Sequence, residues 1–275
     1  MYNKPEVQQA DTANEAFKLK PVYWEQILAI VDVEIRKMLR EPTEIFSRAV
    51  QPILWLLIFG QVFGKLSEIP TGGLSYQAFM VPGILAQSVL FSAIFYGINV
   101  IWEKDMGVVH KLLVSPARRS ALILGKSISA GFRGLIQASI IYIVALFMHV
   151  GMNEDLPHIL GVLLTVVLGS AIFSTFSLII ACIVKSRDRF MGIGQVLTMP
   201  LFFASSAIYP IAMMPDWLKA IARFNPLTYL VDAMRTLMIH GARSIDGLGI
   251  DFAVMGLVYV VFLVIVTRLY PGLVR

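Results

Sequence analysis

Any catalytic or metal site in this chain would have to be built from four histidines, one cysteine and 18 acidic residues. His110, His149, His158 and His240 are scattered. Cys182 lies inside an apolar run, which excludes an internal disulfide and offers no cysteine-based metal site. Glu154, Asp155 and His158 stand together in one short turn, but no third ligand follows at metal-site spacing. The patterns HExxH and GxSxG are absent. The fragment LILGKS, residues 122–127, has the Gly-Lys-Ser end of a phosphate loop. Such a loop needs glycine at position 120, where Ser120 stands, and a strand before it. This segment leads instead into an apolar run. Nucleotide binding, a bound metal, a bound cofactor and catalysis are therefore not expected of this chain.

Two stretches carry more information. In the first, the acidic pair Glu103 and Asp105 precedes Gly107. Val108, Val109, Leu112, Leu113 and Val114 then form a short apolar ridge, followed by Ser115-Pro116 and the basic pair Arg118-Arg119. A short helix with an apolar ridge and basic flanks suits a docking knob for a partner groove. It suits equally a helix lying on a membrane surface. The second stretch is 190–240. It begins as a hydrophobic segment and continues as MMPDWLKAIARFNPLTYLVDAMRTLMIH. That continuation is too polar to span a bilayer and too apolar for a solvated loop. Pro215 and Pro226 are placed to start two helices. Trp217, Leu218, Ile221 and Phe224 give one an apolar face, and Leu227, Tyr229, Leu230, Met234 and Met238 give the other its face. A helical pair that re-enters one side of the membrane is expected.

The elements that must position these stretches are membrane helices. The chain is 57% hydrophobic and 15% charged, with a mean hydropathy of +0.74. Several apolar runs reach roughly 20 residues, the length that crosses a hydrocarbon core. The expected architecture is an all-α polytopic membrane protein with spans at about 45–63, 78–102, 127–150, 158–184, 190–208 and 250–270. Residues 1–20 read as a flexible tail without a signal-peptide core. Residues 21–42 have apolar positions at helical spacing (Trp24, Ile27, Leu28, Val31, Ile35, Leu39), with Glu25, Asp32, Glu34, Arg36 and Lys37 largely on other faces. This is an interfacial amphipathic helix, or a soluble one packed on the rest of the chain. Residues 43–275 form the membrane domain. Gly60 and Gly64 make a close-packing GxxxG pair. Pro82-Gly83 predicts a kink or a late helix start. The net charge of +5 is carried by Lys and Arg around 36–48, 104–126 and 185–189, so it reflects cytoplasmic loops rather than nucleic-acid binding. Short loops place both termini in the cytoplasm, and the basic residues of the last loop dissent.

The order of acidic residues, glycine, apolar ridge, Ser-Pro, basic pair and LILGK resembles the cytoplasmic coupling segment of type-2 ABC transporter permeases. Pro226-Leu-Thr-Tyr229 followed by Arg235 is similar to the tail of that family's signature. Six spans, an interfacial helix and a semi-buried excursion before the last span also match, most closely in the daunorubicin and nodulation-factor exporter branch. The resemblance implies a permease subunit in the inner or plasma membrane that pairs with a second copy. Two separate ATPase subunits carrying ATP-Mg would push on 107–119, with Glu103 capping or pairing near the start of the lever. Val109, Leu112, Leu113 and Pro116 are the expected partner contacts. The cargo would be amphipathic or lipid-like: a drug, a glycolipid or a lipid-linked glycan. Its path would run between the two copies past Gln51, Gln87, Ser88, Asn99, Gln195 and Thr198, each of which could instead simply hydrogen-bond between helices. Arg133 would snorkel or pair with an acid. A lipid-modifying membrane enzyme and a passive channel are the alternatives from other classes.

Overall fold

A computed structural model of the protein describes residues 22–63, 71, 73–115, 117–184 and 186–273. The expected tail, Gly64 of the glycine pair and Pro116, an expected partner contact after the ridge, lie outside these residues. The helices are α1 (Tyr23–Arg40), α2 (Pro42–Phe63), α3 (Tyr76–Asp105), α4 (Val108–Val114), α5 (Arg119–Phe147), α6 (Leu156–Val184), α7 (Arg187–Phe203), α8 (Asp216–Phe224), α9 (Pro226–Met238) and α10 (Leu248–Leu269). Short 3-10 turns follow at Ile211–Met213 and Tyr270–Leu273. Among the described residues the only β pairing is an isolated bridge between Met152 and Ile239.

Among the described residues four helices, α3, α5, α6 and the last one, are long and apolar enough to cross a bilayer. Helix α2 carries a shorter apolar stretch, Phe46–Val62. Helix α7 has 17 residues, roughly 25 Å of helix against a hydrocarbon core of roughly 30 Å. Length and composition thus single out four of the six expected crossings.

Helix α3 is enclosed by its neighbours, which explains why it is apolar all round rather than along one stripe. Ser75 caps it by accepting the Ala78 N–H at 3.2 Å. The helix runs through Pro82, so the late start expected there does not occur. The cap fixes the start ahead of the proline, whose missing N–H removes only the bond to the Ala78 carbonyl. α3 and α6 form the centre of the bundle, where Ile84, Leu85, Leu90, Val166 and Phe173 are buried. In lipid such packing is not driven by water, so polar bonds between helices matter. Ser177 supplies two: its hydroxyl donates to the Ile94 carbonyl and accepts the Gly97 N–H at 3.0 Å. Pairs of this kind are worth about 1 kcal/mol.

Side-chain contacts tie the bundle together at both ends. At one, Tyr270 and Leu273 from the end of the chain pack with Tyr96 and Val109, beside the start of α5 and helix α1. At the other, the turn between α5 and α6 is tied to the end of α9. There Asn153 donates its N–H to the Met238 carbonyl at 2.7 Å and its side-chain amide to the Leu237 carbonyl at 3.1 Å. Tyr76 donates to the Ile208 carbonyl on the same side at 3.3 Å.

Candidate functional site

Helix α1 docks along the first half of α5. Ile27 and Val31 pack on Ala121, with Leu124 and Ile128 alongside. Gly125 makes this approach possible: a Cβ there would lie 2.7 Å from Ile30 Cβ and 3.1 Å from the Ile27 carbonyl. Next to it Lys126 is 2% exposed. Its Nζ donates to Glu34 Oε1 at 2.9 Å and to Glu103 Oε2 at 2.7 Å. Lys37 Nζ donates to Glu103 Oε1 at 2.5 Å and lies 3.5 Å from Glu34 Oε1. Arg133 reaches Glu34 Oε2 at 3.7 Å, with its guanidinium 4.9 Å from the Tyr96 ring centre. Ser127 Oγ stands 2.7 Å from the Tyr259 hydroxyl of α10. The Gly-Lys-Ser run that fails as a phosphate loop therefore ties α5 to α1, α3 and the last helix.

Two carboxylates and three cations share this junction. Burial alone would raise the Glu34 carboxyl, but Lys126, Lys37 and Arg133 outweigh it and hold it at about 2. Glu34 corrects the sequence-based assignment of the α1 faces. It sits on the buried face with Ile27, Val31 and Met38, whereas Trp24, Leu28 and Leu39 are exposed. Glu103 pairs with Lys126 and Lys37 just ahead of Gly107, and Arg133 reaches Glu34.

Beyond Glu103 the chain turns at Gly107, whose φ of +74° lies in the left-handed region that favours glycine. α4 follows. Val109 is fully buried among Tyr96, Val100 and Leu178, and Leu113 packs on the same group. Val109, expected to touch a partner, instead anchors α4 to the bundle, because its side chain is enclosed by these apolar neighbours. Leu112 is partly exposed, while His110, Lys111 and Val114 face outward. Ser115 donates its hydroxyl to the Leu112 carbonyl at 2.6 Å and closes the helix. Arg118 donates its N–H to Gln26 of α1 at 2.9 Å and lays its guanidinium over Tyr23 at 5.8 Å. Arg119 is exposed at the start of α5. On the other flank Arg187 of α7 pairs with Asp105 at 2.8 Å and stacks 3.6 Å over Trp102. α4 is thus a short helix tied at both flanks, with one exposed face.

At the opposite end Pro215 precedes α8 and Pro226 is the first residue of α9. Asn225 between them is 4% exposed. It caps α9 by accepting the Leu227 N–H at 3.0 Å, and its amide donates to the Leu201 and Ala204 carbonyls at 2.7 and 3.1 Å. These carbonyls belong to the end of α7, so α7 stops at Phe203 rather than continuing to 208. Asn225→Ala should lower the thermal midpoint of the detergent-solubilised protein, at a cost of about 1–3 kcal/mol for the lost cap and unpaired carbonyls. An unchanged midpoint would show that the cap is not needed. Leu227, Leu230, Met234 and Met238 of α9 are buried, whereas Trp217, Ile221 and Phe224 of α8 are exposed. Tyr229 donates to the Arg223 carbonyl at 2.7 Å. Arg235 is buried, with its guanidinium 3.8 Å from the Phe79 ring centre and bonded to the Phe79 and Ser206 carbonyls. Burial lowers its pKa to about 10 while Asp232 opposes the shift, so it stays cationic at neutral pH.

The six polar residues assigned to a pathway do not converge within one chain. Gln51 and Gln195 are exposed. Gln87 and Ser88 are buried in α3 with Gln87 Oε1 and Ser88 Oγ unpartnered among the described residues. Thr198 is buried and donates to the Gly194 carbonyl at 2.5 Å. Asn99 lines a cavity of about 390 Å³ beside Glu34, Lys37, Glu103 and Arg133. Among the described residues no group of three or more His, Cys, Asp or Glu is placed to hold a metal ion. His158 and Asp155 are 3.7 Å apart and partly or fully exposed.

Comparison with known proteins bears on this geometry. Residues 25–239 match the family model described as "ABC-2 type transporter". The chain is 27% identical over 220 residues to a putative transport permease, ycf38, of Cyanophora paradoxa, covering 79% of this chain and 76% of the relative. It is 22% identical over 229 residues to the daunorubicin resistance ABC transporter permease protein DrrB1 of Streptomyces coeruleorubidus, covering 83% and 80%. It is 24% identical over 223 residues to the inner membrane transport permease YadH of Escherichia coli (strain K12), covering 78% and 83%.

Proposed function

The chain belongs to the ABC-2 type transporter family, and from that premise we propose that it is the permease subunit of an ABC exporter driven by a separate ATPase. Family membership implies a transmembrane transport subunit with an ABC ATPase as partner. Beyond that, two copies would assemble with two ATPases, and six crossings would be made by α2, α3, α5, α6, α7 and α10. The termini and α4 would face the cytoplasm, and α8–α9 would close the outer end. The exposed apolar surfaces of α2 and α7, including Leu54, Ile58, Val196 and Phe203, leave a face for the second copy, on which Gln51 and Gln195 would meet a pathway. An amphipathic cargo, such as a drug, glycolipid or lipid-linked glycan, suits those apolar walls. The name of the daunorubicin-resistance relative supports a drug.

One observation carries this proposal. α4 is tied at both flanks to the bundle and to α1, and among its described residues His110, Lys111 and Val114 are exposed toward an incoming partner, with Leu112 beside them. A ligand shifts an equilibrium only through contacts that differ between states, and a rigid knob transmits such differences without bending. Co-expression with the ABC-type ATPases of the same organism tests the proposal. The ATPase should co-elute in mild detergent, and its hydrolysis rate should change when the permease is present. Elution of the permease alone, with an unaltered ATPase rate, would overturn it.

A further inference from the structure

At the α9 end a cavity of about 770 Å³ opens between α3, the segment after α7, α9 and the loop before α10. Its volume lies within the range of small-molecule sites. Arg235 and Arg243 line it, with Ser206, Thr71 and Asp232. Arg235 is 6% exposed, and no carboxylate lies within ion-pair distance of it among the described residues. Its Nε and Nη2 are bonded to carbonyls, while Nη1 has no acceptor among those residues. Ser206 is 1% exposed, and its buried hydroxyl has no partner among the described residues. Asp232 lines the same cavity and offsets one of the two guanidiniums, which leaves one positive charge over. Its Oδ2 already accepts the Ile245 N–H at 2.8 Å and the Ser244 hydroxyl at 2.9 Å. Arg243 adds a second guanidinium at the exposed rim. A buried cation with no carboxylate in contact is expensive unless something else pairs with it. A guanidinium fork matches the oxygens of phosphate and carboxylate.

We propose that this cavity binds an oxyanion, a phosphate or carboxylate, borne by the headgroup of a lipid or amphiphile or supplied free in solution. Arg235 holds it from the floor and Arg243 from the rim, with Ser206 Oγ as an added donor. The anion would bridge α9 to α3 and to the segment after α7, fixing the re-entrant pair. The site stands on this geometry alone and does not depend on transport or on an ATPase.

The test uses the full chain purified in a maltoside detergent without phosphate. Retention of dioleoyl phosphatidic acid is compared with that of dioleoylglycerol by native mass spectrometry, and inorganic phosphate is titrated by calorimetry. Preferential retention of phosphatidic acid without phosphate heat identifies a lipid headgroup as the source. Binding of inorganic phosphate identifies a free anion. In either case Arg243→Glu should weaken binding about tenfold, the worth of one charged hydrogen bond, and Ser206→Ala should weaken it less. These two variants keep Arg235 in place, so they decide the matter even if Arg235→Gln fails to fold. Equal retention of both lipids with no phosphate heat, or binding unaltered by Arg243→Glu, overturns the proposal.

Discussion

Lys126→Met should undock α1 and strongly destabilise the protein. The substitution keeps the volume but leaves Glu34 and Glu103 buried beside each other, with only Lys37 and Arg133 to offset them. Removing one partner of a buried ionic group costs about 3–5 kcal/mol. The expected results are a lowered thermal midpoint in detergent and faster proteolysis within α1. Glu34→Gln placed on top of Lys126→Met should recover part of the loss, because it removes one of the stranded charges. A Lys126→Met protein with an unchanged midpoint would show that the junction is not structural. The junction also fixes a pH dependence. Glu34 is depressed in the folded protein, from 4.5 to about 2. Its contribution is therefore complete above the unfolded value and is lost as pH falls toward the folded one. Docking of α1 should be level from neutral pH down to about pH 5 and weaken below that. Loss of docking on raising the pH from 5 to 7 would contradict the assignment.

Val114→Asp should separate partner binding from folding. Val114 is 87% exposed at the tip of α4, and exposed substitutions away from special features usually stay within about 0.5 kcal/mol. Truncating or charging an interface anchor costs about 2 kcal/mol or more, roughly thirtyfold in affinity. The variant should keep its thermal midpoint, lose the co-eluting ATPase and lose ATP-dependent transport. Val109→Asp should behave in the opposite way. Val109 is fully buried, so a carboxylate there strands a charge among apolar side chains and the isolated subunit should lose stability. If Val114→Asp retained the ATPase at full affinity, the free face of α4 would not be the docking surface.

Much of the scaffold was legible because membrane helices announce themselves by length and composition. α3, α5, α6 and α10 fall where unbroken apolar runs predicted them, and Pro215 and Pro226 mark the starts of α8 and α9. The order of motifs in 103–126 identified the family. Other features could not be read because they depend on partners distant in sequence. Glu34 and Lys126 are 92 residues apart, and apolar periodicity counts each as a polar position, whereas together they form the most buried charges of the junction. Val109 looked like a ridge residue because a seven-residue helix has too few turns to declare which face is inward. The end of α7 was misplaced because Leu201 and Ala204 give their carbonyls to Asn225, which lies over 20 residues further on. The signal that could have found the junction was the unusual lysine at the mouth of a membrane helix, where an unpaired charge is costly.

The most direct measurement uses Val114→Cys. Cys182 is the single native cysteine and is buried, so an added thiol at the tip of α4 can be addressed alone. A short maleimide photo-crosslinker placed there should join the permease to its ATPase in membranes, with a yield that changes when ATP is bound. A control thiol at the exposed Trp217 should give no such product. Crosslinking to the ATPase from position 217 but not from 114 would contradict the account.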